Sequence, residues 1–217
     1  MVDASLYPAI RAAIRANELG SVSPYQLSYA RLGASGASFG IFQGDTHVNP
    51  TARSTLQSIL TAAGADPATV SRIMGLVSQA CPNGNPLNPV DTALANQALN
   101  STAGQAAVDA MDDTLMQSVL NGLDGCIAAS GSTPITGEAL LYMALWINMT
   151  GAPTTLKLWL GGQTVSGVPA PAGPCVEPAD IQAYLKASAY FTAHPQNFAH
   201  MQASVATGVP LLPYGGG

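Results

Sequence analysis

Residues 18–50 read ELGSVSPYQLSYARLGASGASFGIFQGDTHVNP, and the rest of the chain is understood from them. The stretch opens on a carboxylate, Glu18, where a helical pattern ends. It passes through a polar loop containing Tyr29, a candidate substrate contact, and enters a segment punctuated by glycine, residues 38–46, SFGIFQGDT. Alternation of polar and apolar groups over 38–43 predicts a short strand. Gly40 in its middle leaves room for another group to approach the backbone closely. Gly44-Asp45 predicts a turn, and Asn49-Pro50-Thr51 a helix start with proline in the first turn.

Upstream, residues 5–18 predict the first helix, capped by Asp3 or Ser5, with Pro8 tolerated near its start. Leu6, Ile10 and Ile14 recur every four residues and share one inward stripe. One more step of four lands on Glu18, the one acidic residue of that helix. A carboxylate at a helix C-terminus opposes the macrodipole, and partial burial disfavours its ionised form, so both effects raise its pKa. A solvated Glu beside the helix-ending Gly20 is the other reading of the same position.

Downstream the pattern is helical. Leu56, Ile59 and Leu60 suit a helix over 51–63, and Val70, Ile73, Met74 and Val77 one over 67–80 capped by Asp66. CPNGNPLNP, 81–89, reads as a loop. Asp91 is expected to cap a helix through about Asn100, and Ser101 the next, over roughly 102–121. Thr136 starts a helix whose residues 139–147 are nearly all apolar, the mark of a central buried element. Residues 154–160 continue helically. Residues 161–178 are a loop or a small two-stranded excursion, and Pro178 or Ala179 opens a last helix to about Thr192, followed by an extended tail. The expected fold class is α+β, mostly α: one domain over 1–217, helical, with a small β region at about 34–46.

Charged residues make up 9 % and hydrophobic ones 47 % of the 217 residues, which excludes disorder by composition. The longest apolar run falls far short of the roughly 20 residues of a membrane span. A net charge of −5 and the lack of a basic cluster argue against nucleic acid as a partner. Cys81, Cys126 and Cys175 show no zinc spacing and allow one disulfide or none. Residues 1–20 do not have the pattern of a signal peptide.

The catalytic menu is short. His47, His194 and His200 lack metal-binding spacing, so no metal or cofactor is expected. GASGASFG lacks the lysine and helix that phosphate binding needs, and Ser35 or Ser38 has no second partner for a triad with His47. Carboxylate chemistry is left. Glycoside cleavage needs an acid that stays protonated, a role suited to Glu18, and usually a second carboxylate. Asp45 suits the second role, with Thr46 placing a water; capping of its own turn is the alternative for Asp45.

The chain resembles the lysozyme-like superfamily, which includes lytic transglycosylases, phage-type muramidases and related chitosanases. The resemblance rests on Glu18 closing a helix and on the Ser- and Gly-rich segment 35–43, SGASFGIFQ. A weaker match is 142–151, YMALWINMTG. It implies a lysozyme-like helical domain with a small β region, and cleavage of a β-1,4-linked amino-sugar polymer such as peptidoglycan. It puts Gln43 and Ser38 against sugar, and Trp146 and Asn148 near the cleft; core packing is the other reading of Trp146. It also implies a monomer acting on polysaccharide, secreted or periplasmic although no export signal is visible. A chitosan or exopolysaccharide hydrolase, favoured by the negative charge, is the competing enzyme. A non-catalytic glycan-binding or structural protein is the competing class.

Overall fold

The computed structural model describes residues 1–30, 35–151 and 153–213. Residues 31–34, the end of the polar loop and the first residue of the expected β region, and the last four residues of the tail lie outside them. The chain is mostly helical, with one three-stranded antiparallel sheet. It divides into two compact units: 1–20 with 116–217, and 21–115.

The first unit begins with a 3-10 turn, Ala4–Leu6, capped by Asp3, whose carboxylate accepts from Ser5 N. Helix α1, Tyr7–Glu18, follows and buries Ala9, Ile10, Ala13 and Ile14. Ile10 and Ile14 are 0 % exposed, and each full burial of such a side chain stabilises the fold by roughly 1.5–3 kcal/mol. α1 packs against α6, Gly137–Thr150, and α10, Pro195–Gly208. α6 buries nine successive residues from Ala139 to Ile147, as the nearly all-apolar sequence of that run requires. Gly208 permits the close approach of α10 to α1, because a Cβ there would stand 2.6 Å from the Ala9 carbonyl oxygen.

Residues 21–115 hold β1, Ser28–Tyr29, β2, Ala37–Phe39, and β3, Gly44–Asp45, in the order β1-β2-β3. Ser38 pairs with Ser28 on one side and Asp45 on the other. Three helices follow: α2, Pro50–Ala62, α3, Pro67–Val77, and α4, Pro89–Asn100. Each starts with the same device, a short polar cap followed by proline. Asn49, Asp66 and Asn88 accept from backbone N–H groups two or three residues on, and Pro50, Pro67 and Pro89 occupy the first helical position, where no N–H is needed. Phe39, Leu56, Leu60, Ile73 and Leu99 form the centre of this unit's core.

Several boundaries differ from the sequence expectation. The predicted strand 38–43 is only Ala37–Phe39, because Gly40 takes φ +78° and turns the chain. Asp91 is not the cap of α4; Asn88 is, and Asp91 is buried inside the helix, held by Arg72 through two bonds of 3.0 and 2.7 Å. α5 runs Thr102–Ala129, eight residues beyond its expected end. α7, Thr154–Leu160, stands as expected. Residues 161–178 form no ladder: Val165 and Val168 exchange hydrogen bonds across a turn, and Val176 bridges to Ile135. The expected last helix, to about Thr192, is two, α8, Pro178–Lys186, and α9, Ala189–Ala193, and the expected extended tail is largely the helix α10. Ser188 caps α9 and Pro195 restarts the chain as α10. Cys81, Cys126 and Cys175 are all free thiols. Among the described residues no helix is long and apolar enough to cross a membrane.

Candidate active site

Glu18 ends α1 on the same stripe as Ile10 and Ile14. It is half-buried, and two amides converge on it. Asn148 Nδ2, from the last turn of α6, donates to Glu18 Oε1 at 2.9 Å, and Asn17 Nδ2 donates to the same oxygen at 3.1 Å. Among the described residues the other oxygen, Oε2, has no hydrogen-bond partner. Burial pushes the Glu18 carboxyl above the ordinary glutamate value. The Asn17 and Asn148 amides and the charge of a protonated His200 oppose that shift without cancelling it. Since both donors occupy Oε1, a proton on this carboxyl belongs on Oε2 and faces away from them.

Glu18 opens into a cavity of about 260 Å³ formed wholly within its own unit. Asn17, Met149, Tyr190, Asn197, His200 and Met201 complete the lining. The His200 ring nitrogen Nε2 lies 2.9 Å from the Asn17 carbonyl oxygen. A carbonyl only accepts, so Nε2 carries hydrogen. Of these residues only Glu18 is assigned a site role by the sequence, which weighs His200 as a metal ligand alone. The others come from α9 and α10 and from positions flanking the motif residues. The pattern Asn197-x-x-His200-Met201, on one face of α10, is the signal that could have found three of them.

Asn148, expected near the site from resemblance, touches Glu18 directly. Trp146, two residues earlier, faces the interior. It is 6 % exposed, and its ring centroid lies 5.6 Å from Phe191 and 6.2 Å from Tyr190. Trp146 therefore backs a cavity residue instead of lining the cavity.

The remaining candidates lie in the other unit. Asp45 accepts from Gly36 N at 3.0 Å and from His47 N at 2.7 Å, so its carboxylate ties two loop segments together. Thr46 is fully buried and its hydroxyl lies 2.6 Å from the Val77 carbonyl oxygen and 2.9 Å from that of Ala37. Gln43 has φ +49°, accepts from the Ser28 hydroxyl and donates to the Gly40 carbonyl at 3.2 Å. Ser38 is buried in the central strand. The Tyr29 hydroxyl is buried and among the described residues has no hydrogen-bond partner, and burial, with a smaller effect from Cys81, holds its phenol above the ordinary value. Sequence reasoning missed the residue that shapes this loop. Asp112, 0 % exposed on α5, accepts from Ile41 N at 2.9 Å and Phe42 N at 3.4 Å.

No family model matches the chain, and neither does any curated protein or solved structure. The geometry therefore carries the functional argument. A half-buried carboxyl with a raised pKa and one unengaged oxygen, facing a cavity, is suited to giving and taking a proton. Among the described residues no group of three or more His, Cys, Asp or Glu is placed to hold a metal ion.

Proposed function

We propose that the chain is a lysozyme-like glycosidase or lytic transglycosylase that cleaves a β-1,4-linked amino-sugar polymer of the cell wall, with Glu18 as general acid. The observation that carries this reading is the Glu18 carboxyl itself, pushed towards its protonated form by burial and fixed through Oε1 by two amides. The proton on Oε2 passes to the glycosidic oxygen as the bond from that oxygen to the anomeric carbon breaks. The carboxylate so formed then accepts a proton from the attacking oxygen. In hydrolysis that oxygen is water's; in transglycosylation it is a hydroxyl of the sugar itself, and an anhydro end results.

Asp45 enters this mechanism as a brace of the 36–47 loop, since its Oδ1 accepts from Gly36 N and His47 N and its Oδ2 shares the Gly36 N–H. A single-acid mechanism follows, with polysaccharide as the partner, a monomer as the active form and the cell envelope or exterior as its place of action.

Cleavage of purified cell walls, followed by mass spectrometry of the fragments, tests the proposal. Glycan fragments with new reducing or anhydro ends are expected. Binding of the walls without any new ends would replace the enzyme with a glycan-binding protein. One observation favours a second reading: the net charge of −5 suits a cationic polymer such as chitosan.

A further inference from the structure

The Glu18 cavity contains a second polar group, formed by Tyr190 of α9 and Asn197 of α10. Asn197 Nδ2 donates to the Tyr190 hydroxyl at 2.8 Å. That bond uses the phenol oxygen as an acceptor and leaves its proton to point elsewhere. Among the described residues Asn197 Oδ1 has no partner. The pair therefore presents one free O–H donor and one free carbonyl acceptor side by side, the complement of a secondary amide.

The donor is held in place. The Tyr190 ring packs edge-on against Phe191, with centroids 5.0 Å apart, and lies tilted against His194 at 5.3 Å and Trp146 at 6.2 Å. It remains 38 % exposed, so part of the ring is open to a ligand. Met149 and Met201 add apolar, adaptable surface to the same cavity.

Charge separates the two kinds of amino sugar. The lining carries one carboxyl, Glu18, and one imidazole, His200. In its acid role Glu18 is neutral, and an imidazole supplies no negative charge. An ammonium entering here would lose water without gaining a counter-ion, which is costly. An acetamido group loses little, because its C=O, N–H and methyl each meet a matching surface.

We infer that Tyr190 and Asn197 form a subsite that reads the acetamido group of an N-acetylated amino sugar and so selects acetylated polymer over its deacetylated form. Tyr190 donates to the acetamido oxygen, Asn197 accepts from its N–H, and the methyl lies on Met149. The inference rests on the reading of this cavity as a sugar site. It runs against the preference that net charge alone would suggest.

Titration of the Glu18→Gln protein with N-acetylchitotetraose and with fully deacetylated chitotetraose, by NMR or calorimetry, separates the possibilities without requiring turnover. The acetylated oligomer is expected to bind at least about tenfold tighter, the worth of one well-made hydrogen bond. Tyr190→Phe and Asn197→Ala, checked for native circular dichroism, should each weaken its binding about tenfold and leave the deacetylated oligomer unaffected. Equal or tighter binding of the deacetylated oligomer overturns the inference. So does equal weakening of both ligands by the variants, or no binding of either. If the expected pattern holds while Glu18→Gln still cleaves walls, the subsite stands and the acid assignment fails.

Discussion

Asn148 Nδ2 donates to Glu18 Oε1 across 2.9 Å, joining the last turn of α6 to the last residue of α1. The bond fixes which carboxyl oxygen is free, and it favours the ionised form, partly offsetting burial. Asn148→Leu removes it. The Glu18 pKa then rises further, and a rate that depends on protonated Glu18 persists to higher pH. The high-pH limb of the activity profile is expected to move upward while the maximal rate falls, about tenfold or more, because the carboxyl is no longer aimed. A profile that keeps its limb would show that Asn148 does not act on Glu18.

The same burial has a consequence for stability. Glu18 has a folded-state pKa above its unfolded value, so folding favours its protonated form. Relative to a neutral side chain, the wild type carries no penalty below the unfolded pKa, 4.5. The penalty grows as pH rises from there through the folded pKa. Glu18→Gln retains an acceptor oxygen for the two amides and never ionises. Its melting temperature is expected to equal the wild type's near pH 4 and to exceed it near pH 7. A variant less stable at pH 7 than at pH 4, relative to wild type, contradicts the linkage.

A third prediction concerns the loop after β2. Asp112 accepts from Ile41 N and Phe42 N, and a Cβ on Gly40 would stand 2.5 Å from Asp112 Oδ1. Asp112→Ala leaves buried N–H groups unpaired, at about 1–3 kcal/mol each. Gly40→Ala adds the left-handed backbone penalty of roughly 1–2 kcal/mol to that clash. Both variants should lower the urea midpoint without changing the slope; a neutral Gly40→Ala would mean that the turn is formed differently.

Asp45 provides the fourth. Asp45→Asn keeps one acceptor for the Gly36 and His47 amides. Steady-state rates on cell-wall glycan are expected to stay within a few-fold of wild type, whereas loss of a catalytic carboxylate costs about 10²–10⁴-fold. A loss on that scale, with the melting temperature unchanged, would restore Asp45 to the reaction.

The caps of α2 and α3 were legible because Asn-Pro and Asp-Pro are local signals with one physical meaning, and α6 because its apolar run needs a buried place. Glu18 was legible by counting fours from Leu6. What lay beyond the sequence depends on distant partners. Asp91 looked like a cap until Arg72, nineteen residues earlier, took it inward. Asn197 and the site role of His200 lie beyond the sequence expectation because Pro195 starts a helix where an extended tail was expected, and Tyr190 because only its contact with Asn197 gives it a role. Asp112 seemed one more polar residue on a long helix; only its placement beneath Ile41 and Phe42 gives it a role.

The most direct measurement is the turnover of Glu18→Gln on purified cell-wall glycan, with circular dichroism and melting temperature confirming the native fold. The proposed mechanism predicts a loss of about 10²–10⁴-fold, since the amide reproduces the shape of the carboxyl but has no acidic proton to give. Turnover equal to wild type would contradict Glu18 as the general acid.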